Sequence, residues 1–229
     1  MKRNWKKYTF EFFSIFIAVI SAFALNNWND NRRDALSENK ILTEISNGLE
    51  KDLQDIMDNT GGHEAGIAAC NFFRNLFNGT STKTDSIAFH YFHLTRDYIT
   101  IQNIAGYETL KSKGLELIRN DSLRLRIISL YEYDYNTLRK FEEEYAEMQF
   151  HVSYFKEINS ALTPHFQLDS NGTIIGLNFP LNIPSDIRNQ LLIYIWKIQT
   201  NRSFLLYYYK EIEGKVNEVR AAIEKEINA

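Results

Sequence analysis

His90, His93 and Asp97, in the stretch SIAFHYFHLTRD, stand at i, i+3 and i+7, a spacing that can put three metal ligands on one helical face. They sit among Phe89, Tyr91 and Phe92, and neither a fourth ligand nor an orienting partner is evident nearby. Solvated or core-edge histidines are therefore the favoured reading, and no metal is expected. A di-iron bundle needs Glu-x-x-His on two helices. None of His63, His90, His93, His151 and His165 has Glu three residues before it. The phosphate-loop, dinucleotide, zincin and nucleophile-elbow motifs are absent. Glu143, Glu147 and His151 form an i, i+4, i+8 row that reads as a solvated face. In YETLKSKG the final Gly114 suits a helix stop, and Lys111, Ser112 and Lys113 beside it could hold an anion. No catalytic residue and no cofactor are expected.

Composition narrows the class further. A net charge of -3 gives no basic surface for nucleic acid. Only 3 Pro and 10 Gly in 229 residues favour long helices over a turn-rich β architecture. The single cysteine, Cys70, excludes an internal disulfide framework and any multi-Cys zinc site.

The elements that would carry these residues begin with an apolar run. Phe12 to Leu25 holds no charge, and a helix from Tyr8 to Leu25 would span roughly 27 Å, within reach of a bilayer core. Trp5 and Trp28 bracket it as interfacial anchors, and Lys2, Arg3, Lys6 and Lys7 precede it, so the positive-inside bias puts the N-terminus in the cytoplasm. Ala22-Phe23-Ala24 also fits a cleaved leader, and a buried core helix is a third reading. Glu11 at the start of the run and the lack of a turn after Leu25 favour the uncleaved anchor. Glu11, Ser14, Ala18 and Ala22 share one face, a small-residue stripe on which membrane helices can associate.

Leu42, Ile45, Leu49, Leu53 and Ile56 extend the same helix to about Asn59, where Thr60-Gly61-Gly62 is expected to break it before a second helix, His63 to Phe77. Short helices follow at 86–94 and 104–113. Asn120 caps a long helix expected to run to about Leu162. Asp169-Ser170-Asn171-Gly172 signals a hairpin turn, and a last helix starts after Pro184. YEYDY (131–135) and YYY (207–209) should divide their rings between core and surface, and the C-terminal stripe should pair with the juxtamembrane helix or with another copy. The fold class is all-α: an N-terminal transmembrane helix continuing into an elongated antiparallel three- to four-helix bundle, with one small hairpin-like loop. The expected division is a cytoplasmic stub at 1–7, a transmembrane helix at 8–25 and an extracytoplasmic helical bundle at 26–229.

IAVISAFALNNWNDNRRD followed by ENKILTEISNGLEKDL, and later GYETLKSKGLELIRNDSLRLRIISLYEYDY, resemble an uncharacterised Bacteroidota family of single-pass membrane-anchored helical proteins, domain of unknown function 6090. Asn26, Asn27, Trp28 and Asn29 carry the first match. Tyr107, Leu110, Lys111, Ser112, Gly114, Ile118 and Leu123 carry the second. The apolar run is richer in Phe and Ser than the family pattern. The resemblance implies an anchored helical protein of the bacterial inner membrane, with its main domain periplasmic, and supplies no activity.

With about seven residues left before the anchor and no second spanning segment, the expected work lies on the far side of the membrane or within it. The expectation is a non-enzymatic scaffold or regulatory module. Its partners would be membrane lipid, other proteins and further copies of itself as an oligomer, with no nucleic acid. A sensory or ligand-binding bundle is the alternative, and a small metal-dependent enzyme the lesser one.

Overall fold

A computed structural model describes residues 5–80 and 84–228. Lys2, Arg3, most of the stub and the middle of the Thr80 to Thr84 loop lie outside the described residues. Helix α1 runs from Trp5 to Phe77 as one 73-residue element, roughly 110 Å long. Every described side chain from Lys7 to Asn29 is exposed. This helix is long and apolar enough to cross a membrane, its best window having a mean hydropathy of 1.9 with none of it buried. From Ile41 onward the opposite situation holds: Ile41, Leu42, Ile45, Leu49 and Ile56 are almost wholly covered.

The cover comes mainly from α7 (Ser185–Ile227), which lies antiparallel to α1. Arg220 faces Glu50 at 3.7 Å, and further along the pair Arg74 donates to Gln199, which fixes the direction. The C-terminal stripe therefore pairs with the part of α1 that follows the apolar segment, and Val219 and Ile223 join its core. Two apolar cores line this spine. The one nearer the N-terminal apolar segment also takes residues from α3 (Ala105–Lys113) and from α4 (Asp121–Ser129) with α5 (Tyr135–Arg139). The far one takes α2 (Ile87–Leu94), α6 (Phe150–Leu162) and a two-stranded antiparallel hairpin, β1 (Phe166–Leu168) with β2 (Ile174–Leu177). The protein is all-α apart from that hairpin. Its turn is set by Asp169, whose carboxylate accepts the amides of Asn171 and Thr173, and by Gly172 at φ 79°.

Two expected boundaries are corrected. Gly61-Gly62 does not end α1: Gly61 is an open helical position, and Gly62, like Gly66 after it, serves close approach rather than a turn. A Cβ on Gly62 would overlap the Tyr98 ring, and one on Gly66 would overlap the Arg202 guanidinium. The helix expected from 120 to 162 is not continuous. Asn120 caps it as expected, its side chain accepting the Leu123 amide at 3.1 Å. Beyond α4 the chain passes through a π-turn at Leu130–Asp134, then α5, then a second π-turn at Lys140–Glu144. It then stops at Tyr145, which is extended at φ -80°, ψ 110°. A short 3-10 turn (Ala146–Met148) leads into α6 as a separate helix. Each π-turn adds a residue to the helical repeat, which a 3.6-residue pattern cannot register. The Glu143, Glu147 and His151 row thus falls on three different elements. Glu143 lies 3.7 Å from Arg139, Glu147 lies 2.9 Å from Lys197, and His151 stacks on Phe155.

Two glycines five residues apart in α1 should consequently respond in opposite ways. Gly61, with nothing within 4 Å of an added Cβ, should gain about 0.5–1 kcal/mol as Gly61→Ala, from helix propensity alone. Gly66→Ala should lose about 1–3 kcal/mol, because Arg202 is held too firmly to move aside. Denaturant unfolding of the full chain in detergent, read by far-UV circular dichroism, checks both signs.

Candidate functional site

Between the two cores lies a belt of buried polar side chains, built from residues on the core register of otherwise apolar stripes. Arg202 follows Ile198 and precedes Leu205 and Tyr209 on the inner face of α7, and it is wholly buried. It lies directly across α1 at Gly66. One guanidinium nitrogen, Nη1, donates to His63 Nδ1 at 3.1 Å. The other, Nη2, donates to the carbonyls of His93, Leu94 and Arg96 at 3.1, 3.2 and 2.8 Å. The first two carbonyls are the open C-terminal end of α2, where the helix dipole favours a cation, and the third belongs to the chain just beyond it. The rings of Phe150 and Tyr98 flank the guanidinium at 4.5 and 5.6 Å. Burial lowers the Arg202 pKa to about 10, so it remains a cation at neutral pH.

A directed chain of hydrogen bonds leads away from it. Arginine has no acceptor, so His63 Nδ1 must accept, and its Nε2–H then faces the Tyr209 hydroxyl at 3.3 Å. Tyr209 in turn donates to Glu142 Oε1 at 2.5 Å. Burial and the neighbouring Arg202 push the His63 pKa down to about 3, consistent with the neutral ring this order requires. Burial raises Glu142 to about 7.

The belt seats the irregular segment 95–104, which crosses from α2 to α3 without a regular partner of its own. Its backbone amides are taken by carboxylates instead: Thr100 by Glu142 at 3.2 Å, Ile101 by Asp55 at 2.8 Å and Asn103 by Asp52 at 2.7 Å. Tyr135 donates to the other oxygen of Asp52 at 2.7 Å. Asp97, in the same strap, accepts the Phe150 amide at 2.7 Å and so caps α6, which has no cap of its own. The second π-turn has a visible consequence here, since it carries Glu142 inward while Glu143 and Glu144 stay exposed.

The side chains singled out from the sequence do not converge on a common point, although Asp97 and the His93 carbonyl belong to the belt. His90 stacks on Phe72 at 4.3 Å, the His93 ring bonds the Tyr98 hydroxyl, and Asp97 is the α6 cap. Among the described residues no group of three or more His, Cys, Asp or Glu could hold a metal ion. Gly114 stops α3 at φ 101°, and Lys111 is occupied by Glu108 at 2.7 Å and Glu132 at 3.4 Å. Tyr107 of the same motif is buried, donates to Glu132 at 3.0 Å and stacks on Tyr131 at 4.5 Å, while Gly106 lies against the Ile45 backbone. The motif at 106–114 thus docks α3 on α1. Tyr131, Tyr135 and Tyr209 go to the core; Tyr133 and Tyr207 stay at the surface. Glu11, Ser14, Ala18 and Ala22 share an exposed helical face, and Trp5 and Trp28 are exposed at its two ends. Cys70 is buried and its thiol pKa is raised to about 11 by burial, which leaves it unreactive at neutral pH.

Sequence reading missed Arg202, His63, Glu142, Tyr209 and Asp52 as a set. A signal for them existed: Asp52 and Arg202 are charged residues in core register between Leu49 and Ile56, and between Ile198 and Leu205. Comparison of the chain with protein-family models, with curated proteins and with solved structures finds no match.

Removing the guanidinium leaves three carbonyls and His63 buried without a donor. Arg202→Met should therefore lower stability by about 3 kcal/mol or more in urea unfolding of the full chain. The belt also sets a pH dependence. Glu142 binds its proton more tightly folded, at about 7, than unfolded at 4.5, so its contribution is full below 4.5 and is lost as pH rises through 7. Asp52 and Asp97, raised by burial, act with the same sign. His63 acts oppositely: at about 3 folded against 6.5 unfolded, its contribution is full above 6.5 and is lost as pH falls toward 3. The groups facing Glu142 are Thr100 on the strap, Tyr209 on α7 and Asp55 on α1. The stability of wild type minus that of Glu142→Gln should then rise by up to about 1.4 kcal/mol per unit as pH falls from 7 toward 4.5. Urea midpoints at four pH values give that difference.

Proposed function

We propose that the chain is a non-enzymatic, membrane-tethered helical module that scaffolds or regulates a protein partner on the extracytoplasmic side of a bacterial inner membrane. In this reading residues 8–25 span the bilayer, 1–7 remain cytoplasmic and 26–229 form the extracytoplasmic bundle. The observation that carries it is the continuity of α1. One helix joins a wholly exposed apolar segment to the belt at Asp52, Asp55 and His63 with no hinge between them. A rigid joint suits a part that holds its bundle at a set height and orientation above the membrane. The buried ionisable groups are spent on the strap and on helix ends, which supports a structural use for them. The resemblance to the anchored family 6090 agrees with this reading, and self-association through Glu11, Ser14, Ala18 and Ala22 belongs to it.

A second reading, ligand sensing, is favoured by one observation, an aromatic groove between α2 and α6.

Orientation is directly testable because Cys70 is silent. Tyr133→Cys, at a position 67% exposed, should react with a membrane-impermeant maleimide in intact spheroplasts, while the parent chain should not. Labelling only after lysis would reverse the orientation. Affinity purification from native membranes in mild detergent should bring down a stoichiometric protein partner together with a chain that starts at Met1. A chain that starts at Leu25 would remove the anchor, and recovery with no partner would remove the scaffold.

A further inference from the structure

The groove between α2 and α6 has a volume of about 740 Å³, is open to solvent, and includes Gly172 and Ile174 of the hairpin in its lining. That is the size of a small-molecule site. Its walls are largely carbon: Tyr91 and Phe92 from α2, Val152 and Phe155 from α6. Phe92 is 53% exposed and Val152 80% exposed, so the wall is open to solvent. Arg96 stands at the rim with its guanidinium 4.5 Å over the Phe92 ring. Among the described residues no carboxylate comes within 4.0 Å of it, as is also true of Arg32, Arg74, Arg126, Arg188 and Arg202; Arg96 differs from these in standing at the mouth of an aromatic groove. The acid in the groove, Asp97, has Oδ1 directed to the amides of Phe150 and His151, which partly offset its charge. His151 lies against Phe155, 4.4 Å between centroids.

We propose that this groove binds a small organic carboxylate with an aromatic or alkyl body. The body would lie along Tyr91, Phe92 and Phe155, and the carboxylate would take the fork of Arg96. A guanidinium presents two parallel N–H donors that match a carboxylate, and its position over a ring holds that fork at the groove mouth. The groove is far from the bilayer of the proposed anchor. Along α1, Phe72, which supports α2, is roughly 70 Å beyond Leu25. That separation selects a free solute over a lipid headgroup of the same membrane. The inference deepens the ligand-sensing reading and stands on the groove alone, so its failure leaves the scaffold reading untouched.

The test uses the full chain in nanodiscs of zwitterionic lipid, with 2-naphthoate as probe, 2-naphthamide as its uncharged match and empty nanodiscs as the blank, by equilibrium dialysis. Saturable binding of one naphthoate per chain is expected, at least tenfold tighter than the amide. Arg96→Gln should abolish that preference while helix content and melting stay as in wild type, because the Arg96 side chain lies over the Phe92 ring and is in no salt bridge among the described residues. Equal binding of the two probes, no binding, or a preference that survives in Arg96→Gln would overturn the proposal. If that variant does not fold, the two probes on wild type decide the matter by themselves. Loss of naphthoate binding in nanodiscs of anionic lipid would assign the groove to lipid and overturn the free-solute reading.

Discussion

A buried guanidinium with no carboxylate at hydrogen-bond distance is the constraint around which this bundle is arranged. Arg202 would be prohibitively unfavourable in an apolar core, and three features make it tolerable. It sits at the C-terminal end of α2, where unpaired carbonyls and the helix dipole supply negative potential. Two aromatic rings flank it, and a neutral histidine accepts from Nη1, while Nε, buried with no hydrogen-bond partner among the described residues, is left to the flanking rings. Each feature places a demand on another element. α2 must end at Leu94, α1 must carry glycine at 66, and His63 must hold its proton on Nε2 and turn it toward Tyr209.

From there the demands propagate through the strap. A segment without regular structure has unpaired amides, and burying them without acceptors would be unfavourable. Glu142, Asp55 and Asp52 accept three of them, so carboxylates do locally what a neighbouring strand would do in a sheet. The strap returns the favour by capping α6 through Asp97. The two apolar cores are thereby joined by directional bonds rather than by continuous packing. The belt is where the bundle's register is decided, because hydrogen bonds specify a geometry that apolar contact alone tolerates in several forms.

The two π-turns belong to the same solution. Without them a straight helix from Asp121 would keep one face on α1 and α7. With them, Tyr131 and Tyr135 turn inward toward Asp52 and Glu142 turns toward Tyr209, while Tyr133 and Glu143 stay in solvent. The chain then leaves the helix at Tyr145 and starts α6 under a cap borrowed from the strap. The result is a rod of two long antiparallel helices with different partners at each end: α3 and α4 toward the apolar N-terminal segment, α2 and α6 with the hairpin away from it.

Sequence by itself determined the all-α class, the exposed apolar N-terminal segment, the last helix after Pro184, the short helices expected at 86–94 and 104–113, each within one residue of its observed start, and the hairpin at Asp169. All of these rest on local periodicity, caps and turn residues, which act within a few positions of the chain. It also placed Asn120 as a cap and split the tyrosines between core and surface. Tertiary structure alone decided that Gly61-Gly62 continues a helix, that the chain breaks at Tyr145, and that His63, Glu142, Arg202 and Tyr209 meet. The physical reason is common to all three. A glycine is a breaker or a gap according to what packs on it, a π-turn persists only where distant partners hold it, and a buried charge is tolerable only beside groups more than a hundred residues away in the chain, as Arg202 is from Leu94.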